Sequence, residues 1–134
     1  MNERGQTTVL VLGMALLALA VAGLAVDGTR AWLYRRSLQN AADAAALAGA
    51  SELDRDLYYS SGGAAVALDA DADDVATRWL ARKPLTARAA VGATRDSVVV
   101  ELRGEVATTF LSLVGVDAIE VAVRVGAAPI AGTP

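Results

Sequence analysis

The chain has 134 residues and a formal net charge of −3, and it contains neither cysteine nor histidine. Without cysteine there is no disulfide or thiolate metal site, and without histidine the commonest general base and transition-metal ligand are missing. The acidic balance argues against a nucleic-acid partner, which favours a basic surface. We therefore expect no enzymatic activity, no cofactor, no metal and no small-molecule substrate.

An uncharged apolar run occupies residues 7–26. A helix of about 20 residues, at 1.5 Å rise per residue, matches a bilayer core of roughly 30 Å, so the run predicts a transmembrane helix preceded by a short segment at 1–6. Two alternatives are open at this stage. One is a cleaved secretory signal, whose apolar core is usually shorter, and the other is a buried core helix, which so small a domain hardly encloses.

The helical pattern continues past the apolar run. Residues 32–50 contain no proline and many strong helix formers, and Gly28 is the weak point of the join. We predict one long rod whose first half lies in the membrane. Its second half carries a soluble domain at 27–128, which a flexible tail at 129–134 follows.

Three residues just after the apolar run are typical of a membrane interface. Asp27 marks the place where the span ends, and Trp32 and Tyr34 follow as aromatic anchors. A functional acid inside the membrane is the alternative interpretation of Asp27.

The remainder of the chain has the pattern of a small mixed domain. Residues 58–63 indicate a turn or loop, and residues 64–82 a second helix that Pro84 ends. Residues 108–115 predict a short helix with a threonine N-cap and a glycine at its C-terminus. Alternating apolar and polar residues predict three half-buried strands, the first two a hairpin, at 85–92, 98–103 and 119–125.

This order of elements predicts an α+β fold. A long N-terminal membrane-spanning helix continues into a small head that has a second helix and a three-stranded antiparallel sheet. The apolar faces of the strands need a cover, and the second helix and the alanine-rich half of the rod are the segments able to supply it.

Ala41, Ala45 and Gly49 recur every four residues and permit close approach between helices. Two interpretations of these helix-packing residues are open. They pack against the chain's own sheet, or they pack against other subunits, and neither use excludes the other.

Two segments resemble a known family. Arg4-Gly5-Gln6 before the apolar span and the block LQNAADAAALAGA at residues 38–50 are similar to the TadE/TadG-like proteins of the tight-adherence (Flp) pilus system. The resemblance extends more weakly to residues 110–115 and the valine-rich last strand. It implies a membrane-anchored accessory or minor pilin-like protein in pilus assembly. Its partners would be membrane lipid and other pilin or pilus-assembly subunits bound through the N-terminal helix.

The resemblance also implies an orientation. It places the N-terminus in the cytoplasm and the C-terminal domain outside the cytoplasmic membrane, on the cell surface if the protein enters a pilus. Counting arginines gives the reverse, because Arg30, Arg35 and Arg36 follow the span and Arg4 alone precedes it. We follow the resemblance. The alternative function is a membrane-tethered extracytoplasmic binding module of a secretion locus that does not enter a filament.

Gly5 and Gln6 are the candidate processing site. Pilin-type members of the family carry a glycine before the cleavage point and a glutamate five residues after it. Gly5 matches, whereas the fifth residue after it is Leu10. This departure fits the TadG-like branch, and it leaves cleavage after Gly5 open.

Overall fold

The computed structural model describes residues 3–130, with side chains from residue 6 onward. The ends of the predicted N-terminal segment (1–2) and tail (131–134) lie outside the described residues. In chain order the elements are α1 (Glu3–Ala50), α2 (Arg55–Ser60), α3 (Ala72–Ala81), β1 (Arg88–Ala93), β2 (Val98–Ala107), a 3-10 helix (Leu111–Val114) and β3 (Ala118–Ala127). The predicted α+β fold is confirmed.

α1 is one unbroken helix of 48 residues, which confirms the predicted rod. At 1.5 Å per residue it is about 70 Å long. Its first half is long and apolar enough to cross a membrane, and only 6% of its most apolar stretch is buried. The core helix of a soluble domain would be enclosed, so that alternative does not describe this helix.

The second half of α1 lies in the core of the head. Leu38, Ala42 and Ala45 are fully buried there. The same helix therefore exposes apolar side chains along its first half and buries them along its second half.

The three strands form one antiparallel sheet in the order β1-β2-β3, and β1 and β2 form the predicted hairpin. The alternation predicted for the second strand is confirmed, because Val98, Val100 and Leu102 are buried. The opposite face carries charged residues, and Glu101 lies opposite Arg124 in the register of β2 and β3. One face of the sheet is therefore core and the other is solvated.

α1 and α3 cover the buried face of the sheet, as predicted. The alanine-rich turns bring the α1 backbone close to its neighbours. A Cβ on Gly49 would lie 2.6 Å from the carbonyl oxygen of Ala72 and 3.2 Å from Cγ1 of Val98. Small residues thus set the distance between α1 and the rest of the head.

The second helix begins at Ala72, so the prediction that it begins at residue 64 is wrong. The preceding segment is tied to two other parts of the head. Leu68 forms a β-bridge with Leu53 and donates its N–H to the carbonyl oxygen of Arg95 at 2.9 Å. These bonds hold its backbone out of a helix despite the favourable side-chain spacing.

The loop predicted at 58–63 is also wrong in part, because α2 runs to Ser60. The side chain of Asp54 accepts the N–H of Leu57 at 3.0 Å and caps this helix. The turn begins after the helix, where Gly62 and Gly63 adopt positive φ. The first strand likewise begins at Arg88, three residues later than predicted.

We expect Ala45→Leu to destabilise the head. Ala45 of α1 is fully buried in the core of the head, and overpacking a core position costs about 1–3 kcal/mol. Thermal unfolding of the full-length protein in detergent should show a lower midpoint. Glu52→Leu, at an exposed position, should change the free energy of unfolding by no more than about 0.5 kcal/mol. Equal midpoints for the two variants would contradict the close-packing account.

Candidate functional site

Asp27 lies on α1 immediately after the apolar span, and the residue is 1% exposed. Its Oδ1 accepts the backbone N–H of Thr109 at 2.9 Å, and its Oδ2 accepts those of Phe110 and Leu111 at 2.8 Å each. The first N–H groups of a helix have no partner within the helix. The carboxylate therefore caps the 3-10 helix from a position 82 to 84 residues earlier in the chain.

The predicted threonine N-cap of this short helix is wrong. The N-cap residue is Phe110, whose side chain has no acceptor atom. The hydroxyl of Thr108 bonds instead to the carbonyl oxygen of Val116. The predicted glycine is confirmed, since Gly115 ends the helix with φ 88°, a left-handed conformation that glycine adopts without strain.

Two further residues of α1 flank Asp27 on the same stripe, at spacings of four and three. A Cβ on Gly23 would lie 2.5 Å from Cβ of Phe110, so this position requires glycine. Nη1 of Arg30 donates to Oγ1 of Thr109 at 2.7 Å. We call Gly23, Asp27 and Arg30, together with residues 109–111, the Asp27 site.

Hydrogen bonds keep the buried carboxylate of Asp27 ionised. Burial acts to raise the pKa of Asp27, but the three backbone N–H groups and the nearby Arg30 guanidinium outweigh it. The net result is a pKa below the usual value of the carboxyl group. A negative charge therefore lies at the N-terminus of the 3-10 helix at neutral pH, where the partial positive charge of the N–H groups favours it.

The other two predicted interface residues have different surroundings. The hydroxyl of Tyr34 donates to the carbonyl oxygen of Thr86 at 2.6 Å, and the tyrosine packs against Gly104. Trp32 is 56% exposed, and the Arg36 guanidinium lies 5.5 Å from its ring centroid. The role of these three residues at a membrane interface stays a prediction. Within the chain, Asp27 and Tyr34 bind other parts of the head.

The small residues Ala41, Ala45 and Gly49 lie inside the head, as the intramolecular interpretation expects. Gly5 and Gln6 lie near the start of α1, and their processing stays a prediction. Among the described residues, no group of three or more acidic, histidine or cysteine side chains is placed to hold a metal. The arrangement around Asp27 joins parts of the chain and brings together no set of reactive groups.

Sequence reasoning identified Asp27 but missed its partners. The uncharged loop that it binds is more than 80 residues away in the chain, and nothing local signals the pairing. One signal was available: Gly23 interrupts the apolar span one turn before the only acid near its end.

The described geometry is that of a long-helix protein, in which an exposed apolar half continues into the core of a small α+β head. Residues 5–52 match a family model described as putative Flp pilus-assembly TadE/G-like. The match spans nearly all of α1, including Asp27 and the small residues, and it confirms the resemblance over this segment. It supports involvement in Flp/Tad pilus assembly. Comparisons with curated proteins and with solved structures found no match.

We expect Gly23→Ala and Gly28→Ala to have opposite effects. Both are helical glycines of α1, but a Cβ at position 28 meets nothing within 4 Å, whereas one at 23 collides with Phe110. Alanine at 28 should stabilise the helix by about 0.5–1 kcal/mol. Alanine at 23 should displace the loop at residues 109–111 from α1. An overpacking cost of about 1 kcal/mol or more corresponds to roughly a five-fold rise in the open population, the fraction of molecules in which this loop is detached from α1.

Chymotrypsin cleavage after Phe110, measured on the full-length protein in detergent, reports that open population. The rate should rise for Gly23→Ala and stay at the wild-type value for Gly28→Ala. If cleavage is equally slow in both variants, Phe110 does not rest on Gly23.

The Asp27 site should also depend on pH. Because the folded-state pKa of Asp27 is lowered, its stabilising effect is complete above the unfolded value near 3.8 and is lost as the pH falls through the folded-state pKa. Amide proton shifts of Thr109, Phe110 and Leu111 in NMR spectra should titrate with a midpoint below 3.8. Asp27→Asn should abolish this titration and Asp117→Asn should preserve it; a midpoint above 3.8 would refute the assignment.

Proposed function

We propose that this protein is a membrane-anchored accessory or minor pilin-like protein in the assembly of a Flp/Tad-type pilus. The observation that carries the proposal is the division of α1. Its first half exposes apolar side chains such as Leu10, Leu16 and Leu24, each more than half exposed, and its second half is core of the head. The TadE/G-like match at residues 5–52 covers both halves.

The proposed mechanism is mechanical, with no enzymatic activity and no cofactor. The apolar half of α1 holds the subunit in the bilayer and offers a packing surface to other pilin or pilus-assembly subunits. The Asp27 site and the Tyr34 contact tie the head to α1 on both sides of Trp32, so the head keeps a fixed position relative to the span. Neither nucleic acid nor a small molecule takes part.

We further propose a single-pass topology with the N-terminus in the cytoplasm and the head outside. The TadE/G-like segment supports this orientation, although the arginine count favours the reverse. Two of the arginines after the span have uses within the chain. Arg30 binds Thr109, and Arg36 stacks on Trp32, so their placement has an explanation apart from topology.

A second candidate is a membrane-tethered extracytoplasmic binding module that never enters a filament. One observation favours it. Ala41, Ala45 and Gly49, the small residues suited to contact between helices, are already buried against the chain's own head. On α1, the large apolar side chains of the first half then remain for contact with other subunits.

Fractionation of piliated cells tests the function. The proposal predicts the protein both in membranes and in sheared filaments, and loss of piliation when it is deleted. Protein confined to membranes, with normal piliation in the deletion strain, would favour the binding module.

Two further measurements test the anchor and the topology. Intact mass of the protein in each fraction would give the mature N-terminus, and a start near Asp27 would contradict the anchor. Alkaline phosphatase fused after Ile130 should be active, with a cytoplasmic reporter at the same point as control.

A further inference from the structure

The loop that binds Asp27 carries an unusual set of exposed apolar side chains. Residues 106–116 contain no charged residue. Four of the side chains there are large, apolar and at least one-third exposed: Phe110 (36%), Leu113 (77%), Val114 (76%) and Val116 (43%). Such a cluster on one short loop marks an interaction surface.

The Asp27 site fixes this loop beside the end of the apolar span. Phe110 packs on Gly23, which lies three residues before Val26, the last residue of the span. At 1.5 Å per residue that contact is about 4.5 Å inside the end of the span. The exposed apolar surface of the loop is therefore continuous with that of α1.

Polar groups of the loop backbone also have hydrogen-bond partners within the protein, which a nonpolar environment requires. Asp27 accepts the N–H groups of residues 109–111, and carbonyl oxygens of the loop accept those of Leu113, Gly115 and Val116 at 3.0–3.1 Å. The hydroxyl of Ser112 donates to the carbonyl oxygen of Thr109 at 2.9 Å. Irregular backbone is costly near lipid unless its polar groups have partners within the protein, and these six N–H groups have them.

We propose that residues 110–116 form a second membrane contact, which enters the interfacial zone of the leaflet through which α1 leaves the bilayer. The occupant is lipid. The loop is uncharged, it lies at the level of the end of the span, and apolar protein surface at this zone is buried about 5–10 Å into the headgroup and acyl boundary. The inference rests on the proposed anchoring of α1. Two attachment points would fix the tilt of the head over the membrane.

Site-specific labelling tests this contact directly, because the chain contains no cysteine. Leu113→Cys, Leu24→Cys and Tyr59→Cys each supply one label position for the environment-sensitive fluorophore NBD. Tyr59 is 77% exposed and lies on α2, after the opposite end of α1, so it serves as the aqueous control. Leu24, 57% exposed within the span, is the control for anchoring.

The full-length variants are reconstituted in phosphatidylethanolamine–phosphatidylglycerol vesicles, with and without lipids that carry a doxyl quencher near the headgroup. We expect blue-shifted, lipid-quenched emission at positions 113 and 24 and unquenched emission at 59. Quenching at 24 without quenching at 113 would overturn the loop contact and leave the anchor intact. No quenching at 24 would refute the anchor itself. A third outcome is a label at position 113 whose emission is blue-shifted, is not quenched by lipid, and returns to the red when the protein is diluted. This outcome would show that a second copy of the chain covers the loop, and it would also overturn the inference.

Discussion

The carboxylate of Asp27 satisfies three N–H groups that the 3-10 helix cannot satisfy itself. The position of the segment between β2 and β3 relative to α1 depends on this interaction. A carboxylate left in this buried place without donors would be costly, and without the carboxylate the three N–H groups would lose their acceptor. Each side of the contact therefore needs the other, which makes the arrangement specific as well as stable.

A second constraint operates along the rest of α1. Residues 41–50 are mostly alanine and include Gly49, so that the helix backbone there approaches the sheet and α3 closely enough for Val98 and Ala72 to touch it. Its first half is built from large apolar side chains that contact little of the described chain. One helix thus exposes large apolar side chains along its first half and packs into the core of the head along its second half.

The elements that the sequence predicts well are those encoded by local periodicity. The unbroken rod, the hairpin and the inward faces of the second and third strands follow from patterns of neighbouring residues, and the structure confirms them. The errors arise where tertiary bonds override local preference. The N–H of Leu68 is held by Arg95, and this keeps that segment out of the helix that its side-chain spacing favours.

The candidate site divides in the same way. Asp27 is noticeable in the sequence because it ends an uncharged run, and the small residues are noticeable because they recur every four positions. The loop that Asp27 binds is not noticeable in the sequence. Its threonines favour a local cap, whereas the acceptor of its N–H groups, Asp27, is distant in the chain. Pairing between a side chain and a backbone 82 residues away is set by the fold as a whole.

Hydrogen exchange at the amides of Thr109, Phe110 and Leu111 tests the central claim most directly. In the full-length protein at neutral pH these amides should exchange slowly. In Asp27→Asn, which replaces one acceptor oxygen by a donor, they should exchange much faster, while the amides paired between β2 and β3 keep their rates. Equal exchange at 109–111 in the two proteins would show that Asp27 does not hold the loop against α1.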